Sequence, residues 1–369
     1  MKIGIDIRCL MNGNYSGVSW YAYNLLKNIF ALDANNQYVL FYNSGKPVSL
    51  PEFKQSNVSY HGCRYPNKLF NLSLNFFDYP KIDSLIGGVD IFFVPNLHFI
   101  SWSPRCKKII TVHDLSFLHF PEFFTVKMRL WHKLIIKKNI LGQADLIIAD
   151  SFNTKNDLIE LLGVAAEKIK VIHLGIDQKY FTALSPDQLA GIKKKYNLPD
   201  KFILSLGTLE PRKNLDGIIA AYKSLATDFS LVIAGGRGWK IKPADNLFFA
   251  DKRVRYIGYI DESDKPALYQ LASLLIYPSF YEGFGLPLLE AMASGCPVIA
   301  GCNSSQPEVV TEAGLLVDPH DINEIKMALD GLLSNADFRQ EMSAKGKQRA
   351  ADFSWEKTAQ ETVKSFNEI

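Results

Sequence analysis

The chain has 369 residues, of which 47% are hydrophobic and 21% charged, and its formal net charge is +3. This length fits two domains, and the composition is that of a globular protein rather than a disordered or fibrous chain. No run of about 18 apolar residues occurs, and no nucleic-acid motif accompanies the small basic excess, so neither a membrane-spanning helix nor nucleic-acid binding is predicted.

Strand-like and helix-like segments alternate along the first half of the chain. Apolar runs predict strands at residues 2–7, 38–42, 91–94, 108–112, 145–149 and 170–173. Helical periodicity predicts helices at 17–30 and 151–162, the second with Ser151 as its N-cap. Such alternation is typical of a parallel sheet with helices on both faces.

The compartment is predicted from the start of the chain and from its cysteines. A strand begins at residue 2, which leaves no room for a signal peptide. The five cysteines show no metal-site spacing, so they are interpreted as free thiols. Both features predict a cytoplasmic protein.

Residues 126–138 interleave five cations with bulky apolar side chains at helical spacing. Residues 1–178 as a whole carry 19 Lys and Arg against 14 Asp and Glu. One interpretation is a helix that rests on an anionic membrane surface. The other is an ordinary amphipathic helix with its apolar stripe in the core and its lysines in water. The sequence leaves both open.

The second half of the chain repeats the alternating pattern. Strands are predicted at 202–207, 230–234, 253–257, 274–277, 297–300 and 314–317. Helices are predicted at 214–225, 265–272, 288–294 and 322–333, followed by a helical pattern over 345–369 that is broken near 352–355. The fold class is therefore α/β with two Rossmann-like domains.

A glycine-rich turn after strand 274–277 combines two carboxylates with the start of a helix. The turn contains Glu282, Gly283, Phe284, Gly285 and Leu286, and Glu290 follows one turn into the helix. Backbone N–H groups at a helix N-terminus bind anions, and a carboxylate near the end of the first turn suits the hydroxyls of a ribose. This arrangement predicts a site for a nucleoside diphosphate.

Two further candidates follow strands at the carboxyl edges where α/β proteins bind ligands. Arg212 and Lys213 follow strand 202–207 and are interpreted as cations that neutralise a diphosphate, because Glu282 and Glu290 would share the same edge; the alternative is an exposed turn. His113 follows strand 108–112 in the same way and is therefore a candidate active-site residue. The alternative is that this histidine has only a structural role.

These segments together resemble glycosyltransferase family 4, whose members have the GT-B fold. Glu282 and Glu290 match the Glu-x7-Glu motif, residues 207–214 the diphosphate segment and residues 256–260 the base-contacting turn. His113 and Asp114 match the active-site histidine segment, and Gly17 the glycine loop after the first strand. A position that is often arginine in the family is Thr208 here, so the cationic role is assigned to Arg212 and Lys213.

The resemblance implies an architecture and a set of roles. Two domains are expected to face each other across a cleft, with the C-terminal helix returning to the first domain. Residues 1–177 and 355–369 would bind the acceptor, and residues 178–354 the nucleotide sugar. Catalytic roles fall to His113, Glu282, Arg212 and Lys213. The donor-binding set is Gly17, Arg212, Lys213, Tyr259, Ile260, Glu282, Gly283, Phe284, Gly285, Leu286 and Glu290.

The implied activity is retaining sugar transfer with neither metal nor cofactor, the nucleotide diphosphate sugar being a co-substrate. Residues 113–122 look like bacterial O-antigen mannosyltransferases, so the expected donor is GDP-mannose, with UDP-sugars or other nucleotide sugars as the alternative. The expected acceptor is a glycan or a polyprenyl-diphosphate-linked oligosaccharide of cell-surface polysaccharide synthesis, with peripheral contact at the inner face of the cytoplasmic membrane. A sugar-nucleotide epimerase and a non-catalytic sugar-nucleotide-binding protein are the alternatives from other classes.

Overall fold

A computed structural model describes residues 1–11, 15, 17–137, 139–240 and 251–369. The chain divides into two compact units. The first contains Met1–Leu118, Val126–Gly175 and Trp355–Ile369, and the second contains His119–Thr125 and Ile176–Ser354. The short segment His119–Thr125 therefore groups with the second unit, although it lies inside the range 1–177 assigned above to the first domain.

The first unit is built on a parallel sheet. Over the described residues its strands are β1 Lys2–Asp6, β2 Gln37–Asn43, β3 Val58–Cys63, β4 Ile91–Val94, β5 Lys107–Val112, β6 Leu146–Ala149 and β7 Ile169–Val171. Their order is β3-β2-β1-β4-β5-β6-β7. Ile5 of β1 lies opposite Leu40 on one side and Phe93 on the other, and all three side chains are fully buried. Burial on both faces explains why the central strands are continuous apolar runs.

Helices connect these strands. Over the described residues, those of the first unit include Gly17–Leu32, Asn67–Phe76, Ile82–Leu85, Val126–Lys137, Ile140–Gln143, Phe152–Leu162 and the C-terminal Trp355–Asn367, which packs against Gly17–Leu32; the short helix Ser116–His119 ends at the boundary with the second unit. The predicted N-cap is confirmed, because the Ser151 Oγ accepts a hydrogen bond from the Thr154 N–H at 3.1 Å. The same helix ends at Gly163, whose φ of 63° is the left-handed conformation of a helix C-terminus.

The second unit contains a second parallel sheet. Its strands in the described part of the chain are β8 Phe202–Leu206, β9 Ser230–Ala234, β10 Val254–Tyr256, β11 Leu274–Tyr277, β12 Val298–Gly301 and β13 Leu315–Val317, in the order β10-β9-β8-β11-β12-β13. The helices among its described residues are Pro186–Lys195, Leu215–Lys223, Lys265–Leu271, Leu286–Ala293, Gln306–Val310, Ile322–Ser334 and Ala336–Ala350. The chain order reverses between β8 and β11, the position where open α/β sheets bind ligands beyond the carboxyl ends of the strands.

The predicted fold class is confirmed, since each unit is a parallel α/β sheet with a Rossmann-like strand order. Among the elements that the sequence analysis missed are the edge strand β3 and the helices Asn67–Phe76, Pro186–Lys195 and Gln306–Val310. Side chains of β3 are half-buried or exposed, so this strand lacks the apolar run that marked the central strands.

Segment 126–138 contains the helix Val126–Lys137, and Lys138 lies outside the described residues. Ile135 is buried and Trp131 packs edge-on against Phe99, with ring centroids 5.9 Å apart. Val126 and Leu130 are exposed. Apolar side chains therefore lie on both faces of this helix, and its contact with a membrane stays a prediction. Among the described residues, every helix is too short or too polar to span a bilayer.

Candidate active site

The predicted cationic and acidic residues of the second unit follow two adjacent strands. Arg212 and Lys213 lie in a short turn after β8, and Glu282 lies in the segment after β11. Asn214 fixes the first segment, because its side-chain amide donates hydrogen bonds to the carbonyl oxygens of Pro278 at 3.2 Å and Pro319 at 2.6 Å. Parallel strands end at one edge of the sheet, so the two segments meet there.

Glu282 binds both cations directly. Its Oε2 lies 2.9 Å from Nη1 of Arg212, and its Oε1 lies 2.6 Å from Nζ of Lys213. Arg212 also donates to Glu210 at 2.6 Å and to the Tyr281 carbonyl oxygen at 2.7 Å, and Lys213 donates to the Tyr277 hydroxyl. The two predicted diphosphate ligands are thus held by buried carboxylates from two segments of the same unit.

The cluster changes the acid–base properties of its members. Burial by itself would raise the pKa of Glu282, but the positive charges of Arg212 and Lys213 outweigh it and hold the pKa at about 2. Burial lowers the pKa of Lys213, and the neighbouring Arg212 lowers it further, against the attraction of Glu282. Additional negative charge, such as a phosphate, would favour the charged form of Lys213.

Beside this cluster a recess opens at the carboxyl end of β8. It is lined in part by Gly207, Thr208, Lys213 and Tyr277. Gly235, after β9, lies so close that a Cβ there would stand 1.9 Å from the Gly207 carbonyl oxygen. Glycine at position 235 therefore lets two backbone segments touch at this edge of the sheet.

The glycine turn leads into the helix Leu286–Ala293 as predicted. Gly285 precedes the helix with a φ of 110°, a conformation that favours glycine, and Pro287 occupies the first turn. The Ser305 hydroxyl donates to the carbonyl oxygens of Glu282 at 2.9 Å and Phe284 at 2.8 Å. Gly283 and Leu286 lie in the same turn and helix start. The segment after β12 thus holds the turn in place.

Glu290 lies on the buried side of that helix and belongs to a second ionisable network. Its Oε2 accepts a hydrogen bond from the Tyr269 hydroxyl at 2.8 Å, and its Oε1 lies 3.7 Å from Nζ of Lys265. Lys265 also pairs with Glu262 at 2.7 Å, and Tyr180 donates to Glu262 at 2.9 Å. Burial raises the pKa of Glu290, an effect that the charge of Lys265 partly offsets.

The predicted base-contacting turn follows β10. Gly258 has a φ of 79°, and its carbonyl oxygen accepts a hydrogen bond from the Gly235 N–H at 2.7 Å. Tyr259 is 62% exposed, whereas Ile260 is buried. This turn therefore presents one aromatic ring to solvent, next in space to the glycine segment after β9.

His113 lies in the first unit, at the carboxyl end of β5. Its Nδ1 lies 2.6 Å from Oδ2 of Asp150, and its Nε2 lies 3.0 Å from the Pro95 carbonyl oxygen. Burial lowers the pKa of His113, but Asp150 outweighs this by charge and hydrogen bond, so the pKa is raised. Gly17, the other predicted residue of this unit, is exposed at the start of the helix Gly17–Leu32.

The structure brings together Arg212, Lys213 and Glu282, and joins them through one turn to the helix that carries Glu290. The sequence analysis missed Tyr277, Lys265, Tyr269 and Asp150. Asp150 follows β6 as His113 follows β5, so the shared carboxyl edge was a usable signal. Lys265 and Tyr269 had no such signal, because a neighbouring helix brings them to Glu290. Within the described residues, no three His, Cys, Asp or Glu side chains are grouped as a metal site.

Two family models match the chain. One, described as Glycosyltransferase Family 4, covers residues 15–180, and the other, described as Glycosyl transferases group 1, covers residues 191–349. Together they cover most of both units.

Individual proteins match as well. The chain is 34% identical over 269 residues to O-antigen chain mannosyltransferase B of Escherichia coli, covering 70% of each chain. It is 30% identical over 273 residues to the serotype-specific mannosyltransferase WbdA of Escherichia coli, where the match covers 71% of this chain but 34% of that protein. The solved structure of sucrose-phosphate synthase from Thermosynechococcus elongatus aligns with a TM-score of 0.77 at 20% identity, over 100% of this chain and 98% of that one. This last match supports the fold alone.

Proposed function

The chain belongs to glycosyltransferase family 4 and has the GT-B fold, and from this we propose that it transfers mannose from GDP-mannose to a glycan or a lipid-linked oligosaccharide in O-antigen synthesis. The anomeric configuration of the mannose is retained in this proposal. Attack comes from the face that the nucleotide leaves, and the departing phosphate takes the proton of the acceptor hydroxyl.

The observation that carries the proposal is the cluster of Arg212, Lys213 and Glu282 at the point where the strand order reverses. A donor diphosphate placed in the recess would lie beside Lys213, and Glu282 connects this lysine to Arg212 and to the turn before the helix Leu286–Ala293. Cationic side chains and a helix N-terminus both stabilise the negative charge that grows on the leaving nucleotide. When the donor binds, the Glu282 carboxylate gives up part of its contact with Lys213 and accepts a hydrogen bond from a hydroxyl of the sugar.

The nucleoside would extend toward Glu290 and the turn at Tyr259. The Glu290 carboxylate, which Tyr269 and Lys265 hold in position, accepts hydrogen bonds from the ribose hydroxyls. The exposed ring of Tyr259 and the backbone at Ile260 contact the base. His113 contacts the transferred sugar, and Asp150 orients its ring.

Mannose as the sugar is supported by the matched relative, which is named an O-antigen chain mannosyltransferase. Metal is not required in this proposal, because two cationic side chains and a helix N-terminus supply the positive charge. No cofactor takes part, since the nucleotide sugar is itself consumed. The acceptor is a polyprenyl-diphosphate-linked glycan, which implies peripheral contact with the inner face of the cytoplasmic membrane.

The decisive experiment combines donor binding with product analysis. Thermal unfolding is measured with GDP-mannose, UDP-glucose, ADP-glucose and TDP-glucose, because a ligand that binds the native state raises the melting temperature. The preferred donor is then incubated with a mannose-terminated acceptor, and mass spectrometry and NMR identify the product. A retained α-mannosyl linkage is expected. Isomerised free nucleotide sugar would instead indicate an epimerase, and binding without turnover a non-catalytic protein.

A further inference from the structure

The first unit exposes a cluster of large apolar side chains that the donor site does not use. They lie on and around the helix Asn67–Phe76, and we call them the apolar surface: Tyr65, Leu69, Leu72, Phe76, Phe77 and Tyr79. Leu69 is 64% exposed and Phe77 is 75% exposed. Together these side chains expose on the order of several hundred Å², as much as the largest apolar patches of ordinary monomers.

Folding of the first unit does not account for this surface. Leu69, Leu72 and Phe76 recur at spacings of three and four, so they share one face of the helix. Phe70 and Leu74, four residues apart, are the buried side chains of the same helix and occupy a different face. The helix Asn67–Phe76 thus has one apolar face that is buried in the core and a second apolar face that is exposed to solvent.

The charges around the apolar surface are mostly positive. Residues 64–81 contain Arg64, Lys68 and Lys81 but only one carboxylate, Asp78. Asp78 pairs with Lys81 at 2.5 Å, so Arg64 and Lys68 provide the excess. Aromatic and aliphatic side chains bordered by lysine and arginine are typical of helices that lie in the interface of an anionic bilayer.

We infer that the apolar surface docks the protein on an anionic lipid bilayer, an inference that rests on the proposed use of a lipid-linked acceptor. The apolar side chains enter the boundary between headgroups and acyl chains, and Arg64 and Lys68 contact lipid phosphates. A second copy of the chain fits this surface less well. A symmetric dimer would bring the same patch, with its positive excess, against itself.

If the helix Asn67–Phe76 docks on a bilayer, the head group of a lipid-anchored acceptor would lie near the carboxyl edge of the first sheet, at the position where the strand order reverses. Phe70 packs with its ring centroid 5.9 Å from the guanidinium of Arg8, which follows β1. Asn71 Oδ1 lies 3.5 Å from Nη1 of the same arginine. The chain order of this sheet reverses between β1 and β4. The helix that would touch lipid therefore also touches the carboxyl edge where an α/β unit binds its ligand.

The test is vesicle sedimentation of the full chain without donor or acceptor. The vesicles are phosphatidylcholine alone, or an equimolar mixture of phosphatidylcholine and phosphatidylglycerol. Wild type is expected to bind the anionic vesicles, and the triple variant Leu72→Gln/Phe76→Gln/Phe77→Gln to bind about tenfold or more weakly. All three side chains are exposed, so the fold should persist. The matched control is Ile322→Gln/Met327→Gln, two exposed apolar residues of the second unit, which should bind like wild type.

Charge is tested separately. Arg64→Gln/Lys68→Gln should lower binding to the anionic vesicles severalfold and remove part of its salt sensitivity. Equal binding of wild type and the triple variant would overturn the inference, as would no binding of wild type to either vesicle. A dimer in analytical ultracentrifugation that the triple variant abolishes, with vesicle binding unchanged, would identify a second copy as the occupant instead.

The inference and the proposed function fail in different ways. If wild type binds anionic vesicles more tightly than the triple variant but transfers no mannose to a water-soluble acceptor, the proposed function is wrong and the docking surface stands. If it transfers mannose to that acceptor but binds vesicles no better than the triple variant, only the docking inference is wrong.

Discussion

Replacement of Glu282 by glutamine is expected to destabilise the protein at neutral pH. The carboxylate is buried between Arg212 and Lys213, and the pKa of Glu282 falls from 4.5 to about 2. By linkage, this difference corresponds to roughly 3 kcal/mol of unfolding free energy above pH 4.5. Removal of one partner from a buried ion pair generally has a cost of this size. For a unit of this length, 1 kcal/mol shifts the melting temperature by about 2–4 °C, so a fall on the order of 10 °C is expected.

The sign of the pH dependence gives the sharper test. Because the folded-state pKa is lowered, the stabilisation by Glu282 is complete above about pH 4.5 and is lost as the pH falls toward 2. Calorimetric melting of wild type and Glu282→Gln from neutral pH down to the acid limit of the fold should show curves that converge below about pH 4.5. The control is Glu341→Gln, which removes an exposed pair with Lys345 and should have little effect. Equal stability at neutral pH, or a gap that does not narrow in acid, would refute the reasoning.

The site gives five further expected outcomes. Glu290→Ala should weaken GDP-mannose binding by roughly 1.5–3 kcal/mol in calorimetric titration, because a charge-assisted contact to ribose is lost; an unchanged Kd would remove Glu290 from the ribose site. Lys213→Ala should lower kcat more than donor affinity, and loss of affinity with intact kcat would contradict a role at the leaving group. Because Asp150 raises the pKa of His113, their charged pairing stabilises the fold below about pH 6.5 and is lost as the pH rises through the raised value. Asp150→Asn should therefore lower the His113 pKa in an NMR titration, and His113→Ala should reduce kcat about a hundredfold with nucleotide affinity retained. Transfer should continue in excess chelator, and its loss with recovery on adding magnesium or manganese would show a metal requirement.

The strands and motif segments could be predicted from the sequence because their signals are local. An apolar run such as 274–277 marks a strand buried on both faces, and a glycine followed by proline marks the start of the helix Leu286–Ala293. The sequence signals for secondary structure were weak in elements that are buried on one face only. The edge strand Val58–Cys63 has polar residues in water, and the helix Asn67–Phe76 interrupts its apolar pattern with asparagines and a serine.

The two parallel sheets, the helix after the glycine turn and the resemblance to glycosyltransferase family 4 can all be predicted from the amino-acid sequence. They depend on periodicity and on residues that are neighbours in the chain. Which side chains contact each other depends instead on how the strands and helices pack. The pairing of Glu282 with both Arg212 and Lys213 joins residues about 70 positions apart, because β8 and β11 are adjacent in the sheet. Likewise Lys265 reaches Glu290 because separate helices pack together, a contact set by three-dimensional packing that no spacing along the chain encodes.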